Sequence, residues 1–218
     1  MIDLHTHTLF SDGELVPSEL VRRAQAVGLR AIALADHADM STLDWIVPRL
    51  IRACEENSHA RSIRCIPGVE ITHVPPALIG RYVAEARGLG ARLVVVHGES
   101  PVEPVEPGTN RAAIEAGADI LSHPGLITEE EARLAAEGGV HLEISARKGH
   151  SLANGHVASM ARRTGAPLVL NTDAHAPGDL IPETFARIVA RGAGLTEAEY
   201  EALRRNMERL AGLEGGSP

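Results

Sequence analysis

The sequence predicts an α/β fold of parallel strands, and three observations carry that reading. Short β-branched or apolar runs alternate with longer helical patterns from one end of the chain to the other, seven times over. The runs are close to continuously apolar, as in strands covered on both faces by helices, and do not alternate as half-exposed strands do. Residues of metal-ligand type stand at the C-terminal end of nearly every run.

In order, the strand-like runs are IDLH (2–5), AIALAD (31–36), CIPGVEI (65–71), LVVVH (93–97), DILSH (119–123), VHLEIS (140–145) and LVLNTD (168–173). After the first comes PSELVRRAQAVGL, whose apolar residues recur at intervals of three and four, the period of a helix with one buried face. EEEARLAAEG, before the sixth run, ends on a glycine stop. PVEPVEPG (101–108) reads as a proline-rich loop, and TEAEYEALRRNMERLAG as an amphipathic closing helix. No low-complexity linker divides the chain, so residues 1–218 are expected to form a single domain. Alternation alone allows an open doubly wound sheet or a closed barrel. The G-x-G-x-x-G fingerprint that would favour the open sheet is absent after the first run.

Composition narrows the partners. The formal net charge is −8, no basic run occurs, and Lys148 is the only lysine. Proteins that grip long nucleic acid through many phosphates carry a basic stripe, so a small ligand is expected instead. No apolar run approaches the roughly 20 residues needed to span a bilayer. The start, MIDLHTHT, has no basic segment leading into an apolar one, and the two cysteines, Cys54 and Cys65, are too few for a disulfide scaffold. A cytoplasmic protein without membrane contact is the expectation; oligomeric state is not legible.

The strand ends carry the chemistry. The first run ends in His5 and His7, with Asp12 in the loop; the second in Asp36 and His37; the third in Glu70; the fourth in His97; the fifth in His123; the sixth in Glu143 and Ser145; the seventh in Asp173 and His175. In a parallel α/β protein all these ends lie at one rim, where such folds build active sites. Residues at i and i+2 of an extended chain point to the same side, about 6.6 Å apart, so each i, i+2 pair reaches one ion or two adjacent ones. Imidazole and carboxylate donors together suit zinc, manganese or iron. His59 and His141 fall at the wrong places for this rim, while His73, His150 and His156 lie in loops on the right side.

DLHTHTLFSDGE, the DH of ADHAD, GVEI, the histidine of VVHGE, SHPGL and NTDAH together resemble the polymerase-and-histidinol-phosphatase (PHP) family, over residues 2 to about 176 and in the expected order. The resemblance implies a distorted (β/α)7 barrel of parallel strands, TIM-barrel-like, completed here by the closing helix. It implies up to three metal ions, on His5, His7, Asp12, His37, Glu70, His97, His123, Asp173 and His175. Nine ligands exceed what one ion can use, so two or three divalent ions (zinc, manganese or iron) are expected, with Glu70 and Asp173 bridging them and positioning a hydroxide for attack on phosphorus. The implied activity is phosphate-ester hydrolysis, in the manner of a histidinol-phosphate phosphatase acting on a small phosphorylated metabolite or nucleotide. Nuclease or phosphodiesterase activity, or a non-catalytic metal-binding regulatory module, are the alternatives. Ser145, Arg147 and Lys148 follow the sixth strand at the same rim and are the expected substrate handle, since arginine and lysine offer a fork and a point charge to phosphate. A hydrolase of the amidohydrolase or TatD kind also opens with HxH. It commonly has eight strands and often a mid-chain carbamylated lysine, neither of which this sequence shows.

Overall fold

The computed structural model describes residues 1–213. Its strands are β1 (Ile2–Asp3), β2 (Ala31–Leu34), β3 (His37–Ala38), β4 (Arg64–Ile71), β5 (Leu93–His97), β6 (Ile120–Ser122), β7 (His141–Ser145) and β8 (Leu168–Asn171). Every pairing is parallel, and the sheet runs β1-β2-β4-β5-β6-β7-β8, with β3 also beside β4. The sheet curls almost into a closed barrel. Between β1 and β8 no ladder forms beyond a single bridge, Thr6 to Ala174. Side chains hold that seam instead. Leu4 N–H donates to Asn171 Oδ1 (2.8 Å), Thr172 donates through both its N–H and its hydroxyl to the Asp3 carboxylate, and His7 N–H donates to the Ala174 carbonyl (2.9 Å).

Helices α1 (Pro17–Val27), α2 (Leu43–Ala60), α3 (Pro76–Gly88), α4 (Thr109–Glu115), α5 (Glu129–Gly138), α6 (Asn154–Thr164), α7 (Glu183–Gly192) and α8 (Glu197–Leu210), with two short 3-10 turns at His150–Ala153 and Pro177–Asp179, complete the described elements. The expected stretch EEEARLAAEG is α5 from end to end. Thr128 and Glu131 cap its start reciprocally, and Gly139, at φ 71°, ends it in the left-handed conformation. The closing helix is α8, packed on β8 and β1. No helix among the described residues is long and apolar enough to cross a membrane. The core is the strand interior, where Leu4, Ile32, Leu34, Val94, Val95, Leu121, Leu142 and Val169 are fully buried.

Two expectations are corrected at the strand ends. The second run, expected over 31–36, ends at Leu34, and a separate short strand, β3, follows at His37–Ala38; between them Asp36 turns inward to hold the first loop. Its carboxylate accepts from Thr8 N–H (2.7 Å), Ser11 N–H (3.2 Å) and both residues' hydroxyls. The runs expected to extend to His123 and Asp173 leave the ladder earlier, at Ser122 and Asn171. At both residues the backbone turns to positive φ (27° and 52°), which aims their side chains over the barrel mouth.

Candidate metal centre

The segment DLHTHTLFSDGE crosses the mouth of the barrel as a loop tied down at several points. Asp36 holds Thr8 and Ser11, and Gly13 packs so close that a Cβ there would overlap the His7 carbonyl. His5 and His7 are thereby fully buried, and their donors meet those of strands far away in sequence. His5 Nε2 lies 3.2 Å from Glu70 Oε1 and 3.8 Å from Asp173 Oδ1, and His7 Nε2 lies 3.1 Å from Asp173 Oδ1. His123 Nε2 reaches 3.8 Å from Glu70 and 3.9 Å from Asp173. On the outer side, Asp12 Oδ1 is 3.1 Å from His175 Nε2 and 3.5 Å from His37 Nε2, and His37 Nδ1 is 2.6 Å from Glu70 Oε2. His97 joins Glu70 and His123 in a third group. All nine residues expected as ligands come together.

Whether this constellation fits metal ions is tested by its polar atoms. His5 Nε2, both nitrogens of His7, Nδ1 of His97 and of His123, and Asp173 Oδ1 are buried without a hydrogen-bond partner. Orphaned buried donors and acceptors each cost about 1–3 kcal/mol, and so many at one point are intelligible as metal donors. Three groups, His7–Asp12–His37–His175, His5–His7–Asp173 and Glu70–His97–His123, each place their donor atoms within 4.8 Å of one another. The residues fit a cluster of divalent ions.

Electrostatics divide the histidines: against burial, the facing Glu70 carboxylate raises His5, His37 and His97. Burial holds His7 and His123 well below the ordinary imidazole range, and neighbouring histidines add to the shift. Both therefore favour the neutral form that lends a lone pair to a metal. Burial would push Glu70 up, but the facing His5, His37 and His97 override it and hold the carboxyl well below its usual range. The Asp173 carboxyl is pushed up to about 7, by burial first. Such opposed shifts among contacting groups mark a functional site. So does the backbone. His73, His123 and Asp173 are the non-glycine residues at positive φ among those described, and all three stand at this mouth.

Glu143, legible as a strand-end carboxylate but assigned no role from sequence, is a positioning residue. It is fully buried, its Oε1 pairs with His5 Nδ1 at 2.9 Å and accepts from Asn171, and its Oε2 accepts from His123 N–H at 3.0 Å. A carboxylate behind a ligating histidine fixes the tautomer and the ring, so His5 presents Nε2 to the centre. His150 also reaches the site. Ser100 Oγ holds its Nδ1 at 2.6 Å, and its ring stacks on His123 at 4.0 Å between centroids. Nothing in the spacing of the sequence distinguishes His150 from His156, whose Nε2–H donates instead to the Ile127 carbonyl. His141 sits at the start of β7 with Nδ1 3.0 Å from the Asp119 carbonyl, away from the site as expected.

The structure separates the three residues of the expected substrate handle. A cavity of about 260 Å³ opens over the centre, and Arg147 lines it with Asp12, His37, His97, Asp173 and His175. The Arg147 Nη1 donates to the Asp173 carbonyl at 2.9 Å. Ser145 does not reach this cavity: it is fully buried beneath it, and its hydroxyl accepts from Arg147 N–H. Lys148 is exposed and lies outside the lining. A larger cavity, about 470 Å³, lies at the N-terminal ends of β4 and β5. Cys54 and Cys65 line it as free, buried thiols with Sγ atoms 2.9 Å apart.

The family model describing the PHP domain matches residues 3–147. The chain belongs to the PHP family. An uncharacterized protein of Methanocaldococcus jannaschii, MJ1295, is 50% identical over 201 residues, 91% of this PHP chain and 92% of that protein. A protein of Shewanella sp. (strain ANA-3) named a probable phosphatase is 30% identical over 203 residues, covering 80% of this chain and 76% of its own. A 5′-3′ exoribonuclease of Haemophilus influenzae is 40% identical over 70 residues, 32% of this chain, and the match spans 23% of that enzyme. Among solved structures, Listeria monocytogenes hisK, proposed by its name to be a histidinol phosphatase, aligns with TM-score 0.58 and 13% identity over 83% of this chain and 97% of its own. An amidohydrolase structure aligns with TM-score 0.62 and 17% identity over 98% of this chain and 74% of its own. At these identities the two structures show a shared fold.

Proposed function

We propose that this PHP phosphoesterase acts as a phosphatase, removing a terminal phosphate from a small phosphorylated metabolite or nucleotide at a centre of two or three divalent transition-metal ions. The observation that carries the proposal is the set of buried, unpartnered imidazole nitrogens, with one carboxylate oxygen of Asp173, beneath a cavity of about 260 Å³. That volume suits one phosphate and a compact leaving group better than a polymer. Divalent ions, when bound, supply charge neutralisation at phosphate oxygens and an acidified water. His5, His7, Asp12, His37, Glu70, His97, His123, Asp173 and His175 would hold them, with Glu70 and Asp173 placed to serve two ions because their oxygens face different histidines. Arg147, on the wall, orients the phosphate with its guanidinium fork. Burial of the floor keeps bulk water from competing. The formal charge of −8 supports small substrates over long nucleic acid.

The test is a screen of phosphorylated metabolites, mononucleotides, a phosphodiester and a 5′-phosphorylated oligonucleotide against purified protein, before and after metal stripping and with manganese or zinc restored. Monoester hydrolysis that disappears on stripping and returns on restoration is expected. Turnover confined to the diester or the oligonucleotide end replaces this reading with the nuclease one, which the short exoribonuclease match favours. Absence of any turnover in metal-replete protein leaves a non-catalytic metal-binding module.

A further inference from the structure

The proline-rich segment PVEPVEPG has no place in the centre described so far, yet it delivers a carboxylate to it. Glu103 Oε2 lies 2.9 Å from His97 Nε2 and 3.7 Å from His73 Nε2, and Glu103 Oε1 lies 3.4 Å from His150 Nε2. His73, His97 and Glu103 place one donor atom each within 4.8 Å of the others. We propose that Glu103 is a tenth metal donor, shared with His97, and that the loop over 99–108 exists to bring it there. The inference rests on the metal-dependent reading above.

Two features separate Glu103 from a surface acid that happens to face a histidine. The first is convergence: its two oxygens face three imidazoles of the mouth, those of His97, His73 and His150, where a surface acid meets one. Donors about 2.1 Å from one six-coordinate ion and at right angles to one another stand about 3.0 Å apart. The Glu103–His97 separation of 2.9 Å falls in the same range as His7–Asp173 at 3.1 Å and His5–Glu70 at 3.2 Å, the donor pairs of the inner cluster. The second is construction. Glu99 Oε1 accepts from Gly108 N–H (3.0 Å) and Asn110 N–H (2.9 Å), tying the two ends of the loop together. Within it, Val105 N–H donates to the Glu103 carbonyl at 2.9 Å, and Ser100 Oγ is bonded to His150. Pro101, Pro104 and Pro107 fix three of its φ angles. A loop braced this way holds its one inward carboxylate where the fold puts it, at 35% side-chain exposure. The bracing lowers the entropy lost when that carboxylate closes on an ion.

The experiment is direct titration of metal-stripped protein with Co2+, following bound ions per chain by elemental analysis and calorimetry and the visible d–d spectrum of the bound ion. Wild type, Glu103→Gln, Glu103→Ala and Glu106→Gln are compared. Glu106, exposed on the same loop, is the control. Both Glu103 variants should lose one class of site or weaken it by at least about tenfold, with a changed spectrum, while Glu106→Gln matches wild type. Glu103→Gln nearly preserves size, so it remains informative should Glu103→Ala fold poorly. Unchanged stoichiometry, affinity and spectrum in Glu103→Gln overturn the proposal, and a raised KM with metal binding intact would make Glu103 a substrate contact instead. Wild type that takes up no Co2+ sinks the metal-centre reading itself, an outcome separate from failure of the variants alone.

Discussion

At the scale of single residues the cluster separates donors from the groups that hold them. Glu143 touches His5 and the His123 backbone from behind the donors, so Glu143→Gln should leave the chain folded but weaken metal binding by roughly ten- to a hundredfold. Its amide would also set an N–H against the His123 N–H, which removes an acceptor as well as a charge. Calorimetric titration of the stripped variant checks this. Arg147 and Lys148 should part company although they are neighbours. Arg147→Ala removes a charged donor from the cavity wall and should raise KM about ten- to a hundredfold, corresponding to about 1.5–3 kcal/mol. Lys148→Ala, outside the cavity, should leave KM and metal content unchanged; steady-state kinetics on one substrate decides both. Most of the nine expected donors were legible from placement: His5 with His7 and Asp173 with His175 are i, i+2 pairs, and His37, Glu70, His97 and His123 stand at the ends of apolar runs, whereas Asp12 lies in a loop and the choice of these nine over Asp36 and Glu143 came from the family resemblance. Glu103, His150 and the role of Glu143 were not legible. Their partners lie 6, 27 and 138 residues away, measured to His97, His123 and His5, and no local pattern encodes a contact made across the mouth of a barrel.

At the scale of elements, α8 is stabilised at its start by a reciprocal cap. Thr196 Oγ1 accepts from Glu199 N–H, and Glu199 Oε2 accepts from Thr196 N–H at 2.7 Å. Thr196→Ala should cost about 1 kcal/mol, lowering Tm by about 2–4 °C while leaving metal binding alone, as thermal unfolding and metal analysis would show. The Arg162 guanidinium, followed by the Thr196 donors, holds the Glu199 carboxyl down at about 2 against an ordinary 4.5. A carboxyl whose folded pKa is depressed stabilises fully above its unfolded pKa and loses that contribution as pH falls through the folded one. The Tm gap between wild type and Glu199→Gln should therefore be constant above about pH 5, narrow below 4.5 and close near pH 2. The elements themselves were legible to different degrees. LVVVH is β5 residue for residue, because a run of β-branched residues between helices admits little else. AIALAD stops as a strand at Leu34, two residues short of the expected end, because Asp36 serves the loop through 8–11 and that loop adjoins it only in three dimensions.

At the scale of the whole molecule, ions would offset a concentration of buried, unpartnered polar atoms at the mouth. A ligand that binds only the folded state adds about 2.7 kcal/mol at a hundred times its Kd. Chelation should therefore lower Tm by several degrees, and adding manganese or zinc should restore it in proportion to the logarithm of free metal. Scanning calorimetry across a metal series checks this, and a Tm indifferent to chelator would count against a metal centre in the native protein. The seam between β1 and β8 has a further consequence, one of timing. A chain made from its N-terminus and emerged only through β7 carries seven of the nine donors but neither Asp173 nor His175, and β1 has no neighbour on its open side. His7 is then without the Ala174 carbonyl that anchors its backbone and the Asp173 carboxylate that faces its ring. The groups built on Asp173 and His175 can therefore form only once the last strand has been made. A chain ended before β8 should accordingly hold metal more weakly than the whole one, and calorimetric titration of the two would show it.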